Sequence, residues 1–303
     1  MKKFIAFILA FVMLLSLAAC VGSSSEEIKQ PSSNYSVENN SGNGENKQSE
    51  QSSTSVTSKA TITEAVLVDE AGVKITAKSL EESFMGTELK ILIENNSGKD
   101  LMFQTRDSSV NGYMIDTYFS ADVTDGKKAN ESITIMSSEL SACGISDIAD
   151  IELYFYIATS EDWKTYLETE PIQIRTSIAD TYQYTFDDSG EVVYDESGVK
   201  IVVKGLNENA FLGQEILVYI ENNTDKGITI QPRDVSVNGF MIDGYLSADV
   251  AAGKRAVNSI TFLSSELEDN DITSFETVEL SFVAYNSKNY NQLFETDKIN
   301  LTF

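Results

Sequence analysis

Four charged side chains recur as a set. Arg106, Asp107, Asp116 and Asp122 return 127 residues later as Arg233, Asp234, Asp243 and Asp249. Aspartates clustered at turns offer oxygen ligands, and calcium needs several oxygens converging on one point. The six aspartates are therefore the calcium candidates of this chain. No Asp-x-Asp-x-Asp-Gly loop accompanies them, and aspartate also caps strands and forms Asx-turns at such places, which is the better reading here. A catalytic carboxylate pair would need a sugar-binding cleft that nothing else in the sequence suggests. Arg106 and Arg233 are candidate contacts to an acidic partner. In a chain this negative, a partner within the same unit is the stronger reading for both.

Other chemistry is restricted by what is missing. The chain has no histidine, which removes Ser-His-Asp and Cys-His catalysis, the HExxH zinc helix and imidazole ligation of any metal. There is no glycine-rich phosphate loop. Ser197-Gly198-Val199-Lys200 matches the Ser-x-x-Lys pattern of penicillin-recognising enzymes, but it falls in a predicted hairpin turn and lacks the companion motifs. Of the two cysteines, Cys20 and Cys143, the second has Asn270 as its counterpart and no disulfide partner once the first is committed elsewhere. The expectation is a non-enzyme with no cofactor beyond a covalent lipid.

Cys20 is the site of that lipid. Lys2 and Lys3 precede an uncharged apolar run, Phe4 to Leu15, and Leu17-Ala18-Ala19-Cys20 closes it. This is the pattern of a signal peptide, too short for a permanent membrane span. Leu17-Ala18-Ala19-Cys20 resembles the bacterial lipobox, which implies cleavage before Cys20 and diacylation of its sulfur. Two or three acyl chains anchor stably where one is marginal. The whole chain carries −25, and loss of Lys2 and Lys3 makes it −27, a charge that repels nucleic acid and anionic surfaces. Residues 1–19 are thus read as signal peptide and 20–60 as lipidated cysteine and disordered tether. The tether is too polar to bury a core, with a reach of roughly 35 Å.

The charged set sits inside a longer duplication. From Glu94 to Lys128 against Glu221 to Arg255, 21 of 35 positions are identical, so the chain contains two copies of one unit, over residues 61–176 and 187–303 with a linker at 177–186. Leu89, Ile91 and Ile93 alternate with polar neighbours, as do Ile216, Val218 and Ile220, the period of two of a half-buried strand. Ile151, Leu153 and Phe155 repeat as Val278, Leu280 and Phe282. Asn111-Gly112 and Asn238-Gly239 are strong two-residue hairpin signals. Ser137-Ser138-Glu139-Leu140 and its repeat offer a helical turn and no more. Tyr182, Tyr184 and Phe186 alternate in the linker, suggesting a short strand or a patch at the junction. Seven or eight short strands per unit predict an all-β chain: two tandem antiparallel immunoglobulin-like β-sandwiches, folding as separate beads with limited contact.

Glu94-Asn95-Asn96, Ser109-Val110-Asn111-Gly112, Ser120-Ala121-Asp122-Val123 and Gly126-Lys127-Lys128, with their repeats, carry a family likeness. The chain resembles the extracellular β-sandwich modules on lipoproteins of low-GC Gram-positive bacteria. The resemblance implies the outer face of the cell membrane and no transferable catalytic role. The expected function is a membrane-anchored surface lipoprotein whose two modules bind an unidentified protein or cell-wall ligand. Its alternatives are an accessory lipoprotein of an export or wall-assembly complex, and a calcium-dependent binding module.

Overall fold

The computed structural model describes residues 60–303. The signal peptide, Cys20 and the tether lie outside the described residues. Among those described, no helix is long and apolar enough to cross a membrane. The chain is all-β, built of antiparallel sheets packed face to face.

In the first unit, β1 (Ala65–Glu70), β2 (Val73–Glu82), β3 (Gly86–Asn95) and β8 (Lys127–Met136) pair in that order, with the two-residue β6 (Thr117–Tyr118) on the far side of β8. The facing sheet centres on β4 (Leu101–Val110), flanked by β9 (Asp150–Thr159) on one side and by β5 (Tyr113–Met114) and β7 (Ser120–Val123) on the other. β10 (Thr165–Glu168) and β11 (Ile172–Arg175) finish it beyond β9. The predicted period holds: Leu89, Ile91 and Ile93 from one sheet meet Ile151, Leu153 and Phe155 from the other in one buried cluster.

The second unit repeats this with β12 (Glu191–Glu196), β13 (Val199–Ala210), β14 (Gly213–Asn222) and β18 (Arg255–Leu263) facing β15 (Ile228–Val237), β16 (Phe240–Met241), β17 (Ala248–Val250), β19 (Thr277–Asn286), β20 (Gln292–Glu295) and β21 (Ile299–Thr302). The helical turns become two six-residue helices, α1 (Ser137–Ala142) and α2 (Ser264–Asp269).

The units are not separate beads. β5 of the first runs parallel to β18 of the second, Tyr113 opposite Arg255, so one ten-stranded sheet passes through both. Val202 and Tyr219 of the second unit belong to the first unit's core cluster, and Met114 of the first packs on the core of the second. The linker forms a patch and not a strand. Phe186 meets Tyr113 edge-on at 5.4 Å between ring centres, and Arg255 lies over Phe186 with its guanidinium carbon 3.7 Å from the ring centre. A repeat pattern shows what each unit keeps. The large apolar residues that differ between copies on this face, Tyr219 and Val257 against Leu92 and Asn130, are what join them.

Candidate functional site

The repeated stretch is largely explained by backbone geometry. Asn111 and Gly112 take φ of 49° and 83°, Asn238 and Gly239 take 50° and 86°, the pair of positive values a type I′ hairpin requires. The asparagine does more. Asn111 Nδ2 donates to the Asp147 carbonyl at 2.8 Å, and its Oδ1 accepts from the backbone of Ala149 and Asp150 at 2.8 and 3.1 Å. Asn238 makes the same three bonds to Ser274, Glu276 and Thr277. Each hairpin turn thus also fastens the loop that leads into β9 or β19. The Arg-Asp pair marks a bulge: the β4–β9 register slips between Arg106 and Ser109, and β15–β19 between Arg233 and Ser236. Asp107 and Asp234 sit there at φ 46° and 52°, a left-handed conformation aspartate tolerates better than most residues.

Both arginines have partners in their own unit. Arg106 stacks on Tyr156, 3.5 Å from guanidinium carbon to ring centre. Arg233 donates to Glu295 Oε2 at 2.7 Å and to the Tyr285 hydroxyl at 2.8 Å. The aspartates spread out. Asp122 accepts from the Ser160 hydroxyl at 3.0 Å, and Asp249 from the Thr229 hydroxyl. The Asp243 backbone N–H donates to Glu266 Oε2 at 3.3 Å, and Asp234 lines an open cavity beside Gly239. Among the described residues no group of three His, Cys, Asp or Glu is placed to hold a metal ion. Ser197 is a left-handed turn residue at φ 54°, and Lys200 is paired with Asp188 at 2.6 Å. Cys143 caps α1, half-buried, and burial followed by the Glu139 charge pushes its thiol up to about 12, well above the range of a reactive thiolate.

Three aspartates do feel one another, across the junction. Burial raises Asp107 and Asp116 above the usual carboxylate range, and the charge of Asp249 from the other unit raises both further. Glu139 is raised by burial and then by Asp116. A carboxyl raised in the folded state is more readily ionised when unfolded, so these groups cost stability once the pH rises through their folded values. Asp162 and Asp187 act oppositely. The first is lowered to about 2 chiefly by Lys164, the second to about 2 chiefly by the Ser189 hydroxyl and then Lys204. Their contribution is present above 3.8 and is lost as the pH falls toward 2. The melting temperature is therefore expected to rise as the pH is lowered through the raised carboxyl values and to fall again as it approaches 2. Asp107→Asn with Asp116→Asn should flatten the upper limb. An unchanged upper limb in the double variant would show that the junction carboxylates do not set it.

A repeated feature that the sequence reading passed over lies at the β2–β3 and β13–β14 turns. Phe84 is 99 % exposed and Phe211, its counterpart, 85 %. Met85 and Leu212 beside them are exposed as well. These tips are held firmly. Ser137 N–H and hydroxyl donate to the Met85 carbonyl at 3.0 and 3.2 Å, and Ser264 does the same to Leu212 at 3.0 and 3.3 Å. Gly86 and Gly213 follow at φ 151° and 153°, where a β-carbon would lie 2.1 Å from the Ile135 carbonyl oxygen and 2.0 Å from that of Phe262. Only glycine lets the turn approach β8 and β18 this closely. The Ser-Ser-Glu-Leu repeat, read as a helical turn, is thus also the clamp that presents each phenylalanine to solvent. A cavity of about 210 Å³ opens beside the first tip, lined by Leu80, Thr87, Ser137, Leu140 and Ile145 among others. The signal available in sequence was an apolar pair between a strand end and a glycine, found twice.

No family model matches the chain, and no curated protein matches it. Among solved structures, the YadV chaperone crystal structure is similar at 12 % identity over 71 % of this chain and 92 % of that one, with a TM-score of 0.24. The red sea bream transglutaminase crystal structure is similar at 8 % identity over 80 % of this chain, with a TM-score of 0.19. This chain covers 31 % of the transglutaminase. Likenesses at these scores carry no argument about either fold or function.

Proposed function

We propose that this chain is a lipid-anchored protein of the bacterial envelope, held through Cys20, whose two non-catalytic β-sandwich modules bind a protein partner through the paired phenylalanine tips. The observation that carries the reading is the repetition of a clamped, exposed phenylalanine at the same turn of both units. Single exposed apolar residues are ordinary. A pair pinned in equivalent places by hydrogen bonds and a sterically required glycine favours an apolar anchor for a pocket on another protein. The shared sheet fixes the spacing of the tips, so a partner with two pockets binds with increased avidity.

The test compares the full chain with its Phe84→Ser, Phe211→Ser double variant in capture from envelope fractions. The double variant should keep its melting temperature, because both side chains already face water. It should lose at least ~10-fold in partner yield, the effect of removing anchors worth ~1.4 kcal/mol or more. Equal capture by the two proteins would sink the reading.

A further inference from the structure

The two units are copies, yet they bury different parts of themselves. In the first, Tyr113 is 2 % exposed, packed against Phe186 and Tyr219 with ring centres 5.4 and 6.4 Å away. Arg255 N–H donates to the Gly112 carbonyl at 3.0 Å, and Lys254 Nζ meets Glu152 Oε1 at 3.0 Å. Most of what the first unit contributes to this junction exists again in the second, with Phe240 in place of Tyr113. There, Phe240 is 49 % exposed and Met241 70 %. Gly239 and Glu279 stand where Gly112 and Glu152 stand in the first copy. An open cavity of about 700 Å³ lies over this face, lined by Asp234, Ser236, Asn238, Gly239, Met241 and Glu279 among others. Lys298, which has Pro171 as its counterpart, lines it too and pairs with Glu279 as Lys254 pairs with Glu152 on the first unit.

The receiving half is also duplicated. β8 opens with Lys127-Lys128 where the second unit has Lys254-Arg255. Lys128 is paired with Glu94 as Arg255 is with Glu221. β6 joins β8 only at Thr134 and Ile135, so the Lys127–Asn130 end of that edge has no strand partner among the described residues. Leu92 stands on the outward face where Tyr219 does in the second unit, and Asn130 where Val257 does. This face is less apolar than its counterpart, so it makes the weaker contact. Charge matches in part: Asp234 and Glu279 line the face, and Glu279 is paired there with Lys298 Nζ at 2.7 Å, a carboxylate that an incoming Lys127 amine would share.

We propose that the face around Phe240, Met241 and Glu279 binds the Lys127–Asn130 strand edge of a second copy of this chain, reproducing between molecules the junction the chain makes within itself. Such a contact uses two different surfaces, so it does not close on itself in a dimer and propagates head to tail. It is independent of the phenylalanine tips, which lie at other turns.

Sedimentation velocity of the full chain from roughly 10 µM to 1 mM, the range of weak contacts, tests it. The sedimentation coefficient should climb with concentration. Glu279→Lys alone and Lys127→Glu alone should each weaken association at least tenfold. An equimolar mixture of those two variants should associate again, since each then offers the charge the other lacks. Phe240→Ser with Met241→Ser should abolish association at unchanged melting temperature, whereas Phe84→Ser with Phe211→Ser should leave it intact. A chain that stays monomeric throughout overturns the proposal. So does association indifferent to Phe240 and Met241, or a charge-swapped mixture that fails to reassociate.

Discussion

Tyr113→Ala is expected to lower the stability of the chain by about 3–5 kcal/mol, the usual cost of emptying a buried aromatic site. Its counterpart substitution, Phe240→Ala, should change it by less than about 0.5 kcal/mol, since that ring is half in water. The two positions occupy the same place in the repeat, so the comparison isolates the junction from the hairpin. Tyr113 touches Phe186 from the linker and Tyr219 from the second unit, and its loss uncouples the two cores as well as opening a cavity. Calorimetry should then resolve two transitions where the parent chain gives one. If Tyr113→Ala and Phe240→Ala proved equally mild, the shared sheet would contribute nothing to stability.

Asn95→Ala and Asn222→Ala should each cost about 2–4 kcal/mol. Both side chains are fully buried. Asn95 Nδ2 donates to the carbonyls of Lys99 and Val123 at 2.8 and 2.7 Å, while Oδ1 accepts from the Ser97 backbone and hydroxyl at 3.0 and 2.7 Å. Asn222 repeats this with Lys226, Val250 and Thr224. Alanine would leave several backbone groups dry and unpaired, a penalty larger than the net value of the bonds themselves. Urea unfolding of the two variants measures it. A loss below about 1 kcal/mol at either position would mean that water enters and takes over the asparagine's bonds.

These contacts mark where a linear reading stops. The alternation of Leu89, Ile91 and Ile93 shows their burial because a strand's faces are set by its own period. Asn111-Gly112 shows its turn because the positive φ values are a local demand. The second role of Asn111, three bonds to residues 147–150, is long-range and leaves no trace in its neighbours. Tyr113 and Phe240 are more instructive still. They share flanking residues and a motif, yet one is buried and the other exposed, because a strand that starts 142 residues further on covers only the first. The arginines were legible as residues with internal partners, but not as a cation–π stack in one copy and a carboxylate pair in the other. Phe84 and Phe211 were passed over because an apolar residue at a strand end is normally assigned to the core.

The parallel pairing of β5 with β18 also sets an order of events in time. Arg255 follows Thr176 by 79 residues, an interval of about 4–16 s at ordinary rates of synthesis. The first unit's chain is complete, and at common folding rates can be folded, before its covering strand has been made. Throughout that interval Tyr113 and Met114 form an open sheet edge beside Asp107 and Asp116. Charges next to an unpaired edge discourage premature pairing with other chains. The carboxylates that cost the finished molecule stability therefore guard the half-made one.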